Sequence, residues 1–67
     1  SILGGIGTAM ESFTGNGKVW IEGEIWAAVS KVAIEEGQAV VVRAINGLTL
    51  EVEPARQSHS NETIFQT

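Results

Sequence analysis

The feature that most constrains this chain is the run Gly17-Lys-Val-Trp-Ile-Glu-Gly-Glu-Ile-Trp-Ala-Ala-Val29, two alternating segments folded about Gly23. Strict alternation marks half-buried strands, and two such runs around a glycine-containing pair mark a β-hairpin. The turn can use Glu22-Gly23 or Gly23-Glu24, and both registers assign the same faces. Val19 and Ile21 share one side with Trp26 and Ala28; Lys18, Trp20 and Glu22 share the other with Ile25, Ala27 and Val29. The first set is expected to form the core, with Trp26 plugging its middle. The second is unusually apolar for a face turned to water.

Further strand signals surround this hairpin. Residues 7–13 alternate well enough for a first strand, and Gly15-Asn16-Gly17 reads as a turn. After Ser30 there is room for one helical turn but no crossover helix, with Ile34 dropping inward and Gly37 ending the turn. Residues 39–46 form the most hydrophobic strand. A β-bulge near Arg43-Ala44 is expected, returning Ile45 to the side of Val40 and Val42. Asn46-Gly47 signals a second hairpin, leading to a strand over 48–53 with Leu48, Leu50 and Val52 inward, stopped by Pro54. Five short strands with turns every eight to ten residues predict an all-β, small antiparallel barrel, whose closure removes exposed sheet edges.

A flexible leader is expected over residues 1–5, the barrel over 6–54 and a disordered polar tail over 55–67, with Ile64-Phe65 its one apolar spot. The start at Ser1-Ile-Leu-Gly-Gly, without an initiator Met, leads us to expect a piece of a longer protein. At 67 residues with no cysteine, the barrel has neither disulfides nor thiolate metal sites to support it. Such a domain is stable by only a few kcal/mol. No stretch approaches the roughly 18 apolar residues of a membrane-spanning helix.

The ordered set of residues carries a resemblance. Phe13, Gly17-x-Val, Gly23-Glu24-x-Trp26-x-Ala28-x-Ser30, Ile34-x-x-Gly37-x-x-Val40-x-Val42 and Ile45-x-Gly47-Leu-x-Leu50-x-Val52-x-Pro54 are together similar to the soluble C-terminal domain of NfeD-type membrane proteins, the stomatin-operon partner family. The resemblance spans roughly residues 4–54. It implies a five-stranded OB-like barrel lacking the usual helix between strands three and four. It also implies an upstream membrane anchor absent from this chain, and partnership with stomatin- or flotillin-type (SPFH) membrane proteins. Thr14 stands where many members have proline, and Ala27 where many have an acidic residue. Some longer relatives carry an upstream serine protease domain, to which nothing here corresponds.

Candidate chemistry is sparse. His59, the single histidine, lies beside Ser58 in the polar tail, where no scaffold preorganises a triad or a ligand set. Gly4-Gly5-Ile6-Gly7 lacks the third glycine of a dinucleotide loop and the flanking strand and helix, so it reads as a turn or linker. The eight glutamates come without Asp and read as solvated faces rather than a calcium loop. Asn61-Glu62-Thr63 matches the glycosylation acceptor triplet, a short and common pattern. No catalytic residue, metal site or cofactor is assigned.

A net charge of −4 with four scattered cations opposes binding to phosphate backbones, so no nucleic-acid partner is expected. The alternative reading, an OB-type nucleic-acid or small-ligand domain, needs exposed aromatics in a basic groove, and only the aromatic is in view. The favoured reading is a non-catalytic protein-interaction module, with Trp20, Ile25, Ala27 and Val29 as its contact residues and self-association as an alternative; the other account of this stripe is that a loop or Ile64-Phe65 covers it. Tryptophan is enriched among interface anchors, and a contiguous exposed apolar patch on a monomer marks a binding site.

Overall fold

In the computed structural model, which describes residues 1–56, five strands make up the regular structure. They are β1 (Ile6–Ala9), β2 (Phe13–Ile21), β3 (Glu24–Ile34), β4 (Ala39–Asn46) and β5 (Thr49–Pro54). They close in the order β1-β2-β3-β5-β4, β1 returning to pair with β4. Every neighbouring pair is antiparallel except β3 with β5, which run parallel. The expected small barrel is therefore present, with one parallel seam that alternation could not reveal. A four-residue link, residues 35–38, replaces the helix between β3 and β4. It is tied down at its middle: Gly37 N donates to Ala9 O at 2.8 Å, and Glu36 N donates to Ser12 Oγ at 2.9 Å.

The interior is aliphatic. Val19, Ile21, Ile34, Val40, Val42, Leu50 and Val52 fill it, with Ala9 and Ala28 where strands approach closely. Full burial of each large side chain contributes about 1.5–3 kcal/mol. Trp26 does not plug the middle. It shares the inner face, opposite Val19, but is half-buried and packs against the aliphatic cluster from the barrel's end. A five-stranded interior already filled by Val, Leu and Ile has no room for an indole.

Several local expectations are corrected. Residues 1–5 lie against the barrel: Gly4 N donates to Val42 O at 2.8 Å, Val42 N donates to Gly5 O at 3.0 Å, and Ile2 packs on the core. The first strand ends at Ala9, and Phe13 opens β2. Gly15-Asn16-Gly17 is no turn but lies within β2, beside a register shift between Phe13 and Gly15. The Phe13 ring covers Gly17, where a methyl group would fall inside the ring. Glycine there serves close approach rather than chain reversal.

β3 also continues as strand to Ile34 instead of turning helical. Buried Ser30 makes this possible. Its Oγ donates to Val32 O at 2.7 Å and accepts from Val32 N at 3.2 Å, satisfying backbone groups where the ladder is interrupted. The bulge in β4 falls between Val42 and Ala44, with Arg43 the extra residue. It returns Ile45 to the inner face opposite Leu50, yet Ile45 stays 41% exposed because the strand has reached the barrel's rim.

The two hairpin turns differ. Glu22 (φ 53) and Gly23 (φ 83) both take positive φ between Ile21 and Glu24, the pattern of a type I′ turn. In the other, Asn46 remains paired with Thr49, so Gly47 (φ 64) and Leu48 form the turn. Only the first central residue has positive φ, which is type II′ geometry. Leu48 is consequently 82% exposed rather than inward, since a turn residue has no inner face to occupy.

Candidate partner-binding surface

The outer side of the β2–β3 hairpin follows from the register. Trp20 lies directly opposite Ile25, and Lys18 opposite Ala27. On the far side of β3, Thr49 of β5 flanks Ala27, and Glu51 flanks Val29. Trp20 is 47% exposed and Ile25 is 54% exposed, so the two large apolar side chains of this face stand in water. Ala27 is exposed beside them. Val29 is half-buried between Asn16 and Glu51, at the polar margin of the patch.

Leu48 joins this surface from the β4–β5 turn. Together Trp20, Ile25, Ala27, Leu48 and the edge of Trp26 rim a shallow depression at the hairpin end of the barrel. Of the four sequence candidates, Trp20, Ile25 and Ala27 thus come together, and Val29 lies apart from the depression. Leu48 was missed because alternation counted it as the first inward residue of β5. A two-residue turn with glycine in its first position was the signal that could have found it.

The electrostatics of this end are weak and negative in balance. Glu22 and Glu24 stand at the hairpin tip, and Lys18 is the cation on the face. Base stacking needs a basic channel beside the aromatic, which this arrangement does not supply. Among the described residues, no three His, Cys, Asp or Glu side chains gather to hold a metal. Two of the glutamates have structural partners: Glu53 Oε1 accepts from Arg43 Nε at 3.0 Å, and Glu51 accepts from Asn46 Nδ2. Gly5 N donates to Ile2 O in a tight turn ahead of β1, so the glycine-rich start caps no helix. Ser58, His59, the Asn61-Glu62-Thr63 triplet and Ile64-Phe65 lie outside the described residues.

The family model of NfeD-like C-terminal, partner-binding domains matches residues 1–54. The chain belongs to this family. Two solved structures place the NfeD-like barrel among relatives. The C-terminal domain of stomatin operon partner protein 1510-C from Pyrococcus horikoshii is 40% identical, with a TM-score of 0.78 over 84% of this chain and 91% of that one. The soluble domain of a membrane protein implicated in regulation of membrane protease activity, from Corynebacterium glutamicum, is 29% identical. It superposes with a TM-score of 0.76, covering 82% of this chain and 94% of that one. Among curated proteins, none matches the chain. No helix among the described residues is long and apolar enough to cross a membrane.

Proposed function

We propose that this NfeD-like domain is a non-catalytic docking module, carried by a membrane-anchored protein, that binds a stomatin- or flotillin-type membrane partner. The observation that carries the reading is the exposed Trp20–Ile25 pair with Leu48 beside it, on a barrel whose interior is otherwise sealed. Exposed apolar side chains grouped this way on so small a domain have a purpose in association. The indole is rigid and presents a large area for little loss of side-chain freedom, which suits an interface anchor. The family description and the Pyrococcus relative's name support the choice of partner class. The description of the Corynebacterium relative supports a membrane-bound remainder of the molecule.

In this reading Trp20, Ile25 and Ala27 form the contact with Leu48 added, and Val29 contributes only at the margin. The test is capture of a purified stomatin-type protein by the immobilised chain. Trp20→Glu should lower affinity at least tenfold, the loss of an anchor worth about 2 kcal/mol. Unchanged capture by a folded Trp20→Glu variant would remove this surface as the docking site. Equal self-association of the wild-type chain, abolished by the same change, would instead assign the patch to a second copy.

A further inference from the structure

A second surface has a different character. The parallel β3–β5 ladder covers only Ala27–Val29 against Thr49–Glu51. Beyond it β3 swings away, its Val32 backbone groups held by Ser30 rather than by β5. A groove opens between the two strands, with Val29, Val52 and Pro54 along it. From Val52 to Pro54, β5 is paired with β4 on one side, and its other edge faces this groove.

The groove also gathers charge. Lys31, Arg43 and Arg56 line it, three of the four cations of a chain whose net charge is −4. Glu51 and Glu53 are there too: Glu53 is ion-paired with Arg43, while Glu51 accepts from the neutral amide of Asn46 and keeps its charge, which leaves the lining positive by one. Lys31 and Arg56 form no ion pair among the described residues. Two cations without an ion pair, Lys31 and Arg56, thus stand along one open strand edge of an acidic protein.

We propose that this groove binds an extended acidic peptide segment of a partner protein, laid lengthwise against β5. The open edge of β5 offers main-chain pairing, apolar side chains of the guest meet the half-buried Val29 and Pro54, and its carboxylates meet Lys31 and Arg56. Pro54 has no N–H, so pairing is short and side-chain charge supplies much of the selectivity. An anionic membrane surface is the poorer fit, because such binding draws on clusters of about four to eight cations. The choice of a peptide guest rests on the partner-docking reading; the groove meets the Trp20 surface only at the marginal Val29, so shifts at one and not the other tell the two apart.

The test is an NMR titration of the full 67-residue chain with a synthetic blocked peptide of four Glu-Val repeats, alongside four Lys-Val repeats. The Glu-Val peptide should shift amides of residues 29–32 and 52–56, and the Lys-Val peptide should not. Binding should weaken about tenfold in the K31E/R56E variant, and by a similar factor between low and high salt. Both altered side chains are exposed, so the fold should survive, and unchanged amide dispersion checks it. The proposal falls if no shift occurs at about 1 mM peptide, a Kd limit corresponding to negligible affinity. It also falls if the shifts gather at Trp20 and Leu48, or if K31E/R56E binds equally. Phosphatidylglycerol vesicles producing the same shifts would make the guest a lipid surface. Glu62→Lys alone shifting residues 29–32 would make the chain's own end the occupant.

Discussion

Two faces of one hairpin carry nearly equal apolar content and opposite fates. Val19, Ile21 and Ala28 are sealed in the barrel, while Trp20, Ile25 and Ala27 on the alternate positions of the same two strands stand in solvent. Hydrophobicity therefore does not decide which face turns inward. Volume and shape do. The inner face presents aliphatic side chains small enough to meet across a five-stranded barrel, and the bulkiest inner residue, Trp26, is displaced to the rim. The outer face retains the large flat side chain that such an interior could not hold.

This contrast is most sharply tested on the inner side. Ile21→Ala should cost about 2–5 kcal/mol, which approaches the whole stability of so small a domain, as read by urea unfolding. A loss below about 1 kcal/mol would mean the interior collapses around the deletion and is not the tightly filled layer described. Gly17→Ala should follow at about 1–3 kcal/mol, because the added methyl collides with Phe13 and must displace the ring. Combining it with Phe13→Ala should cost less than the two single changes together, since the collision disappears. Ser30→Ala comes next, at about 1 kcal/mol, by leaving the Val32 N–H without its side-chain acceptor.

Alternation made much of this barrel legible. Val19, Ile21, Ala28, Val40, Val42, Leu50 and Val52 are all buried where a period of two places them. The bulge at Arg43 was also readable, because two apolar positions fell out of phase. What period cannot reveal is where a strand ends. Leu48 obeys the alternation of β5 yet sits in the turn, and Gly15-Asn16-Gly17 has turn composition yet stays in β2. In both cases long-range closure overrides the local signal: β2 must reach along β3 to Ile34, and β5 must start at Ala27 of a distant strand. The Trp20–Ile25 side of the proposed docking surface was visible for the same reason as the core. The groove that gathers Lys31, Arg43 and Arg56 was not, since its walls come from β3, β4 and the end of β5.

A smaller effect, and of opposite sign, is expected at the tip joining the two faces. Glu22 holds a positive φ of 53 in the type I′ turn, a conformation that asparagine adopts at less cost. Glu22→Asn should raise stability by about 0.5 kcal/mol in thermal unfolding, without altering partner capture. A decrease instead would show that the glutamate makes a contact stronger than its backbone strain.

The smallest expected change belongs to the outer neighbour of Ile21. Trp20→Ala removes a far larger side chain than Ile21→Ala, yet should alter stability by only about 0.5 kcal/mol or less. The indole is 47% exposed, and what it gives up on truncation is chiefly its cross-strand contact with Ile25. Acrylamide quenching before and after addition of a purified stomatin-type protein completes the measurement: Trp20 fluorescence should be accessible in the free chain and protected in the complex. A stability loss of about 2 kcal/mol in the free chain would place Trp20 in the energy range of buried aromatics. The indole would then be covered by another part of the same molecule, and the apparent docking face would be an internal contact.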